Sequence, residues 1–185
     1  MAYATVTNVK EHLNISGSAQ DAFLSNLITE VESVINLYCV RGDGFASASH
    51  TEYYDGGGID TLPLTHTPVT AIASVYDDLD GDFGSDTLVG ATTYRVVQAT
   101  GELVNKDGIA WQDGVGNIKA TYTGGYSSIP ADIRLATIRL TAKFYNLRSS
   151  SGIKQMTAGA LNLSFDFSIP DDVKVILDKY RKIDF

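Results

Sequence analysis

The stretch from residue 122 to residue 147 constrains the fold of this chain most, because its hydrophobic periodicity changes there from that of a strand to that of a helix. Residues 118–123 alternate apolar and polar side chains, which is typical of a half-buried strand. Gly124 and Gly125 follow and allow the backbone a sharp change of direction. The stretch therefore predicts a strand that leads through a tight turn into a helix.

Three signals mark the start of this helix. Ser127 or Ser128 can cap it, and Pro130 suits the first turn because the amide that proline lacks would have no helical partner there. Asp132 lies where the helix dipole is positive. We therefore expect the helix to span residues 128–148.

The helix carries two apolar stripes at spacings of three and four residues. The first consists of Ile133, Ala136, Leu140, Phe144 and Leu147. The second stripe consists of Leu135, Ile138, Ala142 and Tyr145. A helix with two apolar sides has two neighbours, so the second stripe faces either its own subunit or another chain. The sequence leaves both open, and we treat the second stripe as a candidate subunit interface.

Two earlier helices are predicted. A short one spans residues 5–13 with Thr5 or Thr7 as its cap, and a long one follows a capping box at residues 18–21. Arg41-Gly42 supplies a cation and a glycine to end the long helix. Seven apolar side chains at helical spacing define it: Leu24, Leu27, Ile28, Val31, Val34, Ile35 and Tyr38.

From residue 43 to residue 123 the periodicity is two, and glycines and aspartates recur every few residues, which indicates a β region. Thr100-Gly101 is typical of a hairpin between the fourth and fifth strands, and the glycines 56–58 form a turn between the first two. The candidate strands are 51–54, 61–64, 69–76, 92–97, 102–104 and 117–123.

The predicted fold class is α+β, a mainly helical bundle with a β-rich insertion between the second and third long helices. We expect one domain over residues 1–185. Its parts are a helical base (5–41 and 128–148), a β insertion (43–123) and a C-terminal arm (149–185).

The C-terminal arm begins with a serine- and glycine-rich break and continues as an alternating strand and a short amphipathic helix. A lone strand exposes an unpaired edge and an apolar face, so either its own sheet or a neighbouring chain must cover it. The sequence leaves both open. The candidate partner-binding residues of the arm are Leu161, Leu163, Phe165, Phe167, Val173, Ile176, Leu177 and Tyr180.

The charge balance limits the partners of the chain. Its formal net charge is −8, from 14 Lys and Arg against 22 Asp and Glu, which argues against wrapping nucleic acid. It is compatible with DNA passing nearby, because like charges keep a sliding polyanion from sticking. No apolar run is long enough for a membrane span, and the first residues lack the pattern of a secretory signal. We therefore expect no membrane association and no export.

No catalytic, cofactor or metal site is predicted. Cys39 is interpreted as a buried structural thiol, and the three histidines, which lack metal-ligand spacing, as surface or cap residues. The acidic loop 77–86 places carboxylates around a glycine as calcium loops do, but Val89 stands where the last ligand would be a glutamate. We therefore expect this loop to be solvated, mobile and free of metal.

Five pieces of the sequence occur in the order found in a known family. They are Val9-Lys10-Glu11-His12-Leu13, the segment 35–41, Glu52-Tyr53-Tyr54-Asp55-Gly56, the segment 62–69 with its two prolines, and the junction from Gly124-Gly125-Tyr126 to Pro130. With helices before and after the β region, they make the chain resemble the head–tail connector proteins (adaptor or head-completion proteins) of tailed bacteriophages. The resemblance covers most of the first 147 residues.

The resemblance implies a structural virion protein without an active site, assembled in the bacterial host cytoplasm. Such a protein forms a homo-oligomeric, dodecameric ring between the portal protein and the tail or next head-completion protein. It extends the DNA channel without binding DNA specifically. Connectors of this family commonly use their C-terminal region to grip the portal or an adjacent subunit, which gives the arm a function.

The alternative is a carbohydrate-binding or hydrolytic β module on a helical base. Four aromatic residues could then form a sugar-stacking platform: Tyr53, Tyr54, Trp111 and Tyr126. We favour packing between sheet and helices for these rings. Pairs of carboxylates such as Glu52 and Asp55 occur by chance in any acidic β domain.

Overall fold

The computed structural model describes residues 1–148, 155–158, 161–164 and 168–182. The chain divides into two compact units. Residues 1–45 and 129–185 form the first, which we call the helical unit, and residues 46–128 form the second, the β unit.

The described elements follow the predicted order, except that the strand over residues 155–158 was not predicted. They are α1 (Val6–Leu13), α2 (Asp21–Tyr38), β1 (Ala48–Tyr54), β2 (Thr61–Pro63), β3 (Val69–Asp77), β4 (Tyr94–Val97), β5 (Glu102–Asn105), β6 (Ile118–Gly124), α3 (Ala131–Leu147), β7 (Gln155–Ala158), β8 (Leu161–Ser164) and α4 (Asp171–Asp178). A short 3₁₀ turn, Lys106–Gly108, follows β5. Among the described residues, no helix is long and apolar enough to cross a membrane.

The prediction of a mainly helical bundle is wrong. The fold is α+β with four described helices and two three-stranded antiparallel sheets, and helix and strand contribute about equally. All six strands predicted between residues 43 and 123 form, and they bury a hydrophobic core of their own around Trp111. The β region is therefore a unit comparable to the helices, because a separate core stabilises it independently of any bundle.

The β unit contains one sheet of order β1-β6-β3 and another of order β2-β5-β4. The hairpin predicted at Thr100-Gly101 joins β4 to β5, as expected. The glycines 56–58 connect β1 to β2, but these strands pair in different sheets. Side chains from both sheets form one buried cluster: Leu62, Leu64, Val69, Val75, Tyr94, Leu103, Trp111, Ile118, Ala120 and Tyr122.

In the helical unit, α3 packs against α1, α2 and α4. Of the seven apolar residues predicted to define α2, five are buried: Leu24, Leu27, Ile28, Val31 and Ile35. Burial stabilises each such side chain by roughly 1.5–3 kcal/mol, while fixing each backbone residue costs about 1–2 kcal/mol. The long helix therefore depends on its neighbours to persist.

The helix starts agree only in part with the prediction. Thr5 caps α1, as expected, and also forms a reciprocal capping box with Asn8 that was not predicted. Gln20 and Pro130 are the N-caps of α2 and α3, and neither makes a side-chain capping bond. The predicted capping box at 18–21 and the predicted serine caps of α3 are therefore wrong, because the chain enters each helix later than the capping residue types suggest.

The end of α2 also differs from the prediction. Val40, not Gly42, adopts the left-handed conformation, with φ of +54°. The amide of Val40 donates to the carbonyl of Leu37 at 3.2 Å, and the amide of Arg41 donates to that of Asn36 at 2.9 Å. These two bonds form a Schellman motif in which a β-branched residue occupies the position usually taken by glycine.

Replacing this valine tests the strain. A non-glycine residue in the left-handed region destabilises the folded chain by roughly 1–2 kcal/mol. Glycine removes this strain, but its greater freedom in the unfolded chain lowers stability by about 0.5–1 kcal/mol. We expect Val40→Gly to raise the free energy of unfolding by up to about 1 kcal/mol, a gain of roughly 2–4 °C in the thermal midpoint. Val175→Gly, at an exposed position inside α4, is the control and should lower stability by about 1 kcal/mol. A lower midpoint for Val40→Gly would contradict the assignment of strain.

Candidate functional site

The second stripe of α3 is only partly exposed. Ala142 is buried, and Ile138 and Tyr145 pack against the buried cluster shared by α1 and α2. Leu135 is 39% exposed. The part of this stripe that another chain could reach is therefore carried mainly by Leu135.

The candidate residues of the C-terminal arm fall into two groups. Val173 and Leu177 of α4 are fully buried in the helical unit, and Ile176 and Tyr180 are half-buried. Arg41 Nε donates to the carbonyl oxygen of Tyr180 at 3.0 Å. This half of the arm is thus held by its own subunit.

The other half is the strand predicted over residues 161–168. Leu161 and Leu163 belong to β8, which pairs with β7 in an antiparallel hairpin. The side chains of these two leucines, and residues Phe165 and Phe167, lie outside the described part of the chain. The binding of a partner by these residues stays a prediction.

Cys39 follows α2 and is buried, as predicted. Its Sγ atom donates to the carbonyl oxygen of Leu177 at 3.6 Å. Burial raises the pKa of this thiol to about 11, so the reactive thiolate is scarce at neutral pH. The cysteine therefore has a structural role between α2 and α4.

Sequence reasoning did not predict a cluster of polar side chains on the β1-β6 pair, which we call the Glu52 cluster. Tyr122 donates its hydroxyl to Glu52 Oε2 at 2.5 Å, and Tyr54 donates to the same oxygen. His66 Nε2 lies 3.1 Å from Glu52 Oε1. The rings of His66 and His50 stack with their centroids 3.7 Å apart. The interpretation of these two histidines as surface or cap residues is therefore wrong.

The bonding of this cluster fixes its protonation states. Burial raises the pKa of the Glu52 carboxyl, but the hydroxyls of Tyr122 and Tyr54 and the interaction with His66 outweigh it, so the pKa lies below its usual value. Burial and the bond to Glu52 raise the pKa values of both tyrosines, which therefore remain hydrogen-bond donors. An ionised carboxylate is thus surrounded by donors in a partly buried site.

The Glu52 cluster also holds the segment before β3 in place. The amide of His66 donates to the hydroxyl of Tyr122 at 2.9 Å, and the amide of Thr65 donates to that of Tyr54 at 3.2 Å. The segment before β3 is thereby tied to β1 and β6. One signal was available in the sequence, since residues 50, 52 and 54 alternate and share a face of β1.

A second polar centre, Asn117, ties three loops of the β unit together. This buried side chain accepts from the amide of Gly56 at 2.9 Å and donates to the carbonyl of Gln112 at 2.9 Å and to Asp77 Oδ1 at 3.3 Å. A Cβ atom at Gly56 would lie 1.7 Å from the carbonyl oxygen of Gln112, so only glycine permits this approach. We call the segments 55–60, 77–90 and 108–117 the tied loops.

The acidic loop differs from the expectation of a solvated segment at Asp78, which is buried. Its carboxylate accepts from the amides of Phe83 at 2.7 Å, Asp80 at 2.9 Å and Gly81 at 3.3 Å, and from the hydroxyl of Thr87 at 3.2 Å. Burial raises the pKa of Asp78, but these bonds outweigh it and hold the pKa below its usual value. The loop is therefore folded around one carboxylate.

The aromatic platform of the carbohydrate alternative does not form. Trp111 is 1% exposed, and its Nε1 donates to the carbonyl oxygen of Asp60 at 3.1 Å. Tyr54 is half-buried, and its hydroxyl is bonded to Glu52. These two rings pack inside the β unit, where they cannot stack on a sugar.

The Glu52 cluster predicts a pH dependence. Because the folded-state pKa of Glu52 lies below its ordinary value of 4.5, its stabilisation is complete above that value and is lost as the pH falls through the folded-state pKa. Thermal melts from pH 5 to pH 2.5 should show a midpoint deficit for Glu52→Gln that is largest at about pH 5 and shrinks as the pH falls. Glu102→Gln, exposed on β5, is the matched control and should change the midpoint little. A deficit that does not vary with pH would contradict the role of an ionised Glu52.

Comparisons with known proteins agree with the fold. The sequence model of a family described as head completion protein matches residues 2–183. The chain is similar to a protein in the neck of an empty GTA particle computed with C6 symmetry, with 19% identity, a TM-score of 0.64, and coverage of 97% of this chain and 90% of that one. The chain is also similar to a protein in the neck of the native GTA particle computed with C12 symmetry, with 18% identity, a TM-score of 0.62, and coverage of 97% of this chain and 89% of that one.

A chain in the virion of the native gene transfer agent (GTA) particle is 21% identical, with a TM-score of 0.59 and coverage of 97% of this chain and 90% of that one. At these identities the structural likeness shows a shared fold. No curated protein matches the sequence. The resemblance to head-completion proteins stated from five sequence pieces is confirmed, because the family model spans nearly the whole chain, and the protein belongs to the head completion protein family.

Proposed function

We propose that this protein is a structural component of the virion neck, where it forms a ring between the portal and the tail or the next head-completion protein. The observation that carries this proposal is the family match over residues 2–183. The fold agrees with it, since 97% of the chain aligns with proteins found in particle necks that were computed with six-fold and twelve-fold symmetry. We infer a dodecameric ring that encloses the DNA channel, and assembly in the host cytoplasm before the ring joins the particle.

The role proposed for the protein is not enzymatic. The polar groups of the β unit that could suggest chemistry are engaged in holding strands and loops, as Glu52, Asp78 and Asn117 show. A neck component transmits contacts between neighbouring proteins, and a fold rich in bonded loops suits that task.

We propose that the ring contact includes Leu135. This side chain is exposed on α3, whereas Ile138 and Tyr145 of the same stripe pack within the helical unit. A carboxylate is costly in a desolvated interface and tolerable on an open surface. Leu135 is therefore the position at which a charge separates assembly from folding.

We expect Leu135→Asp to leave a folded chain that forms a smaller assembly, measured by size-exclusion chromatography with light scattering. Circular dichroism reports folding. Val175→Asp, on the exposed side of α4, is the matched control and should keep the mass of the wild type. An unchanged mass for Leu135→Asp, or loss of its fold, would show that Leu135 has no part in a subunit contact.

We further propose that the hairpin of β7 and β8 grips the portal or an adjacent subunit. Deleting residues 153–185, which make up most of the arm, would not test this cleanly, because α4 would be lost and the partners of its buried Val173 and Leu177 would be exposed. Lys143 Nζ donates to the carbonyl oxygen of Ser168 at 2.7 Å, so the start of the α4 segment lies beside the last turns of α3. A shorter deletion can therefore retain α4.

Deleting residues 153–165 keeps six residues between Arg148 and Ser168, enough to span up to about 20 Å. We expect this variant to fold with a nearly unchanged thermal midpoint and to lose attachment to portal-bearing heads in a sedimentation assay. A variant with the same 13 positions replaced by glycine and serine controls for chain length and should also fail to attach. Undiminished attachment would show that the hairpin is dispensable.

A further inference from the structure

The tied loops display apolar side chains to solvent. Val115 is 91% exposed, Leu79 59%, Ile109 57% and Ile59 52%. A Cβ atom at Gly114 would lie 3.0 Å from Leu79 Cδ2, so the loops that carry Leu79 and Val115 touch. The amide of Trp111 donates to the carbonyl of Ile59 at 2.8 Å, which joins the loops of Ile59 and Ile109. Large apolar side chains exposed in pairs on joined loops are typical of a protein interaction surface.

The same loops hold an amount of negative charge equal to the net charge of the chain. They contain no lysine or arginine, and the other 14 acidic residues of the chain equal its 14 lysines and arginines in number. The formal charge of −8 therefore corresponds to eight carboxylates in these three segments: Asp55, Asp60, Asp77, Asp78, Asp80, Asp82, Asp86 and Asp113.

The charge decides what can cover the apolar side chains. Nucleic acid is repelled by such a surface, and so is the same surface on a second copy of the chain. A protein surface with apolar side chains flanked by lysine and arginine is complementary in both respects. Because Asn117 and Asp78 hold the loops in place, little conformational freedom would be lost on binding.

We propose that the tied loops are a docking surface for a different protein of the particle that presents apolar side chains within a basic surface. This inference rests on the proposed function, since it assigns one of the contacts of the neck. The contacts proposed for the chain then belong to two different surfaces. Leu135 and the hairpin are in the helical unit, and the tied loops are in the β unit.

Site-specific photo-cross-linking in assembled particles tests the proposal. Val115 is replaced by p-benzoylphenylalanine in one variant and Val175, the exposed control on α4, in another. Immunoblotting of purified particles first shows incorporation, and mass spectrometry then identifies the cross-linked peptide. We expect the probe at Val115 to label a segment of another virion protein that contains lysine or arginine, and the probe at Val175 to label a different segment or none.

Two sets of variants separate the apolar and ionic contributions to binding. Each set is made in the chain that carries the probe at Val115. Leu79→Ser with Ile109→Ser should lower the cross-link yield about tenfold. Asp80→Asn with Asp82→Asn and Asp113→Asn should lower the cross-link yield to a similar extent. In this variant the yield should no longer depend on salt concentration, because the ionic part of the contact is absent. Val97→Ser and Glu30→Gln, which change exposed residues outside the tied loops, are the matched controls.

The outcomes are distinguishable. Absence of every variant and of the wild type from particles would overturn the proposed function and, with it, this inference. Incorporation with a Val115 cross-link to DNA, to another copy of this chain, to a peptide without cations, or to nothing would overturn this inference alone. A yield unaffected by the serine or asparagine variants would also overturn it.

Discussion

The pairing of β6 along both of its edges is the interaction on which the β unit depends. β6 hydrogen-bonds to β1 on one side and β3 on the other, so its amides and carbonyls are satisfied in a strand whose inward residues Ile118, Ala120 and Tyr122 are fully buried. The positions of the two polar centres follow from this strand. Tyr122 brings its hydroxyl to Glu52, and Asn117, immediately before β6, reaches the tied loops.

These two centres and the Asp78 carboxylate show how buried polar groups are used in the β unit. Glu52, Asp78 and Asn117 are each removed from water to some degree, which is costly unless their hydrogen bonds are made. Glu52 and Asn117 bond to segments distant in sequence and Asp78 closes its own loop, so these bonds offset the cost of burial and fix the local backbone. Removing one partner would leave the others unsatisfied, which makes these sites sensitive to substitution.

The helical unit follows a different logic, in which one helix serves three neighbours. α3 contacts α1, α2 and α4. Most apolar side chains on two of its sides pack within the subunit. This leaves Leu135 as the exposed member of the second stripe and places α4 with the core of the subunit. Surfaces proposed for assembly are thus smaller than the apolar stripes suggest, since most of each stripe stabilises the chain itself.

The sequence by itself determined the kind and order of the elements up to α3 and of the strand and helix that follow β7, but not β7 itself. Period-two alternation located all six strands between residues 43 and 123, helical spacing located the four helices, and five short pieces in order identified the family. These signals are local, because alternation and helical spacing depend on neighbours a few residues apart. The burial of Cys39 was also readable, since its position at the end of an apolar helix fixes its surroundings.

Only the tertiary structure decided which strands pair, which polar side chains contact one another, and how large a share of the fold the helices form. Glu52 and Tyr122 are 70 residues apart, and Gly56 and Asn117 are 61 apart, so no local pattern connects them. The balance of the fold was misjudged for the same reason, because a set of short strands becomes a unit only when its distant members close a common core around Trp111. The predicted ends of helices were wrong at Pro130, which caps α3 without a side-chain bond, and at Val40, which takes the left-handed conformation usual for glycine, because residue preferences at a helix end are weak compared with the path of the whole chain.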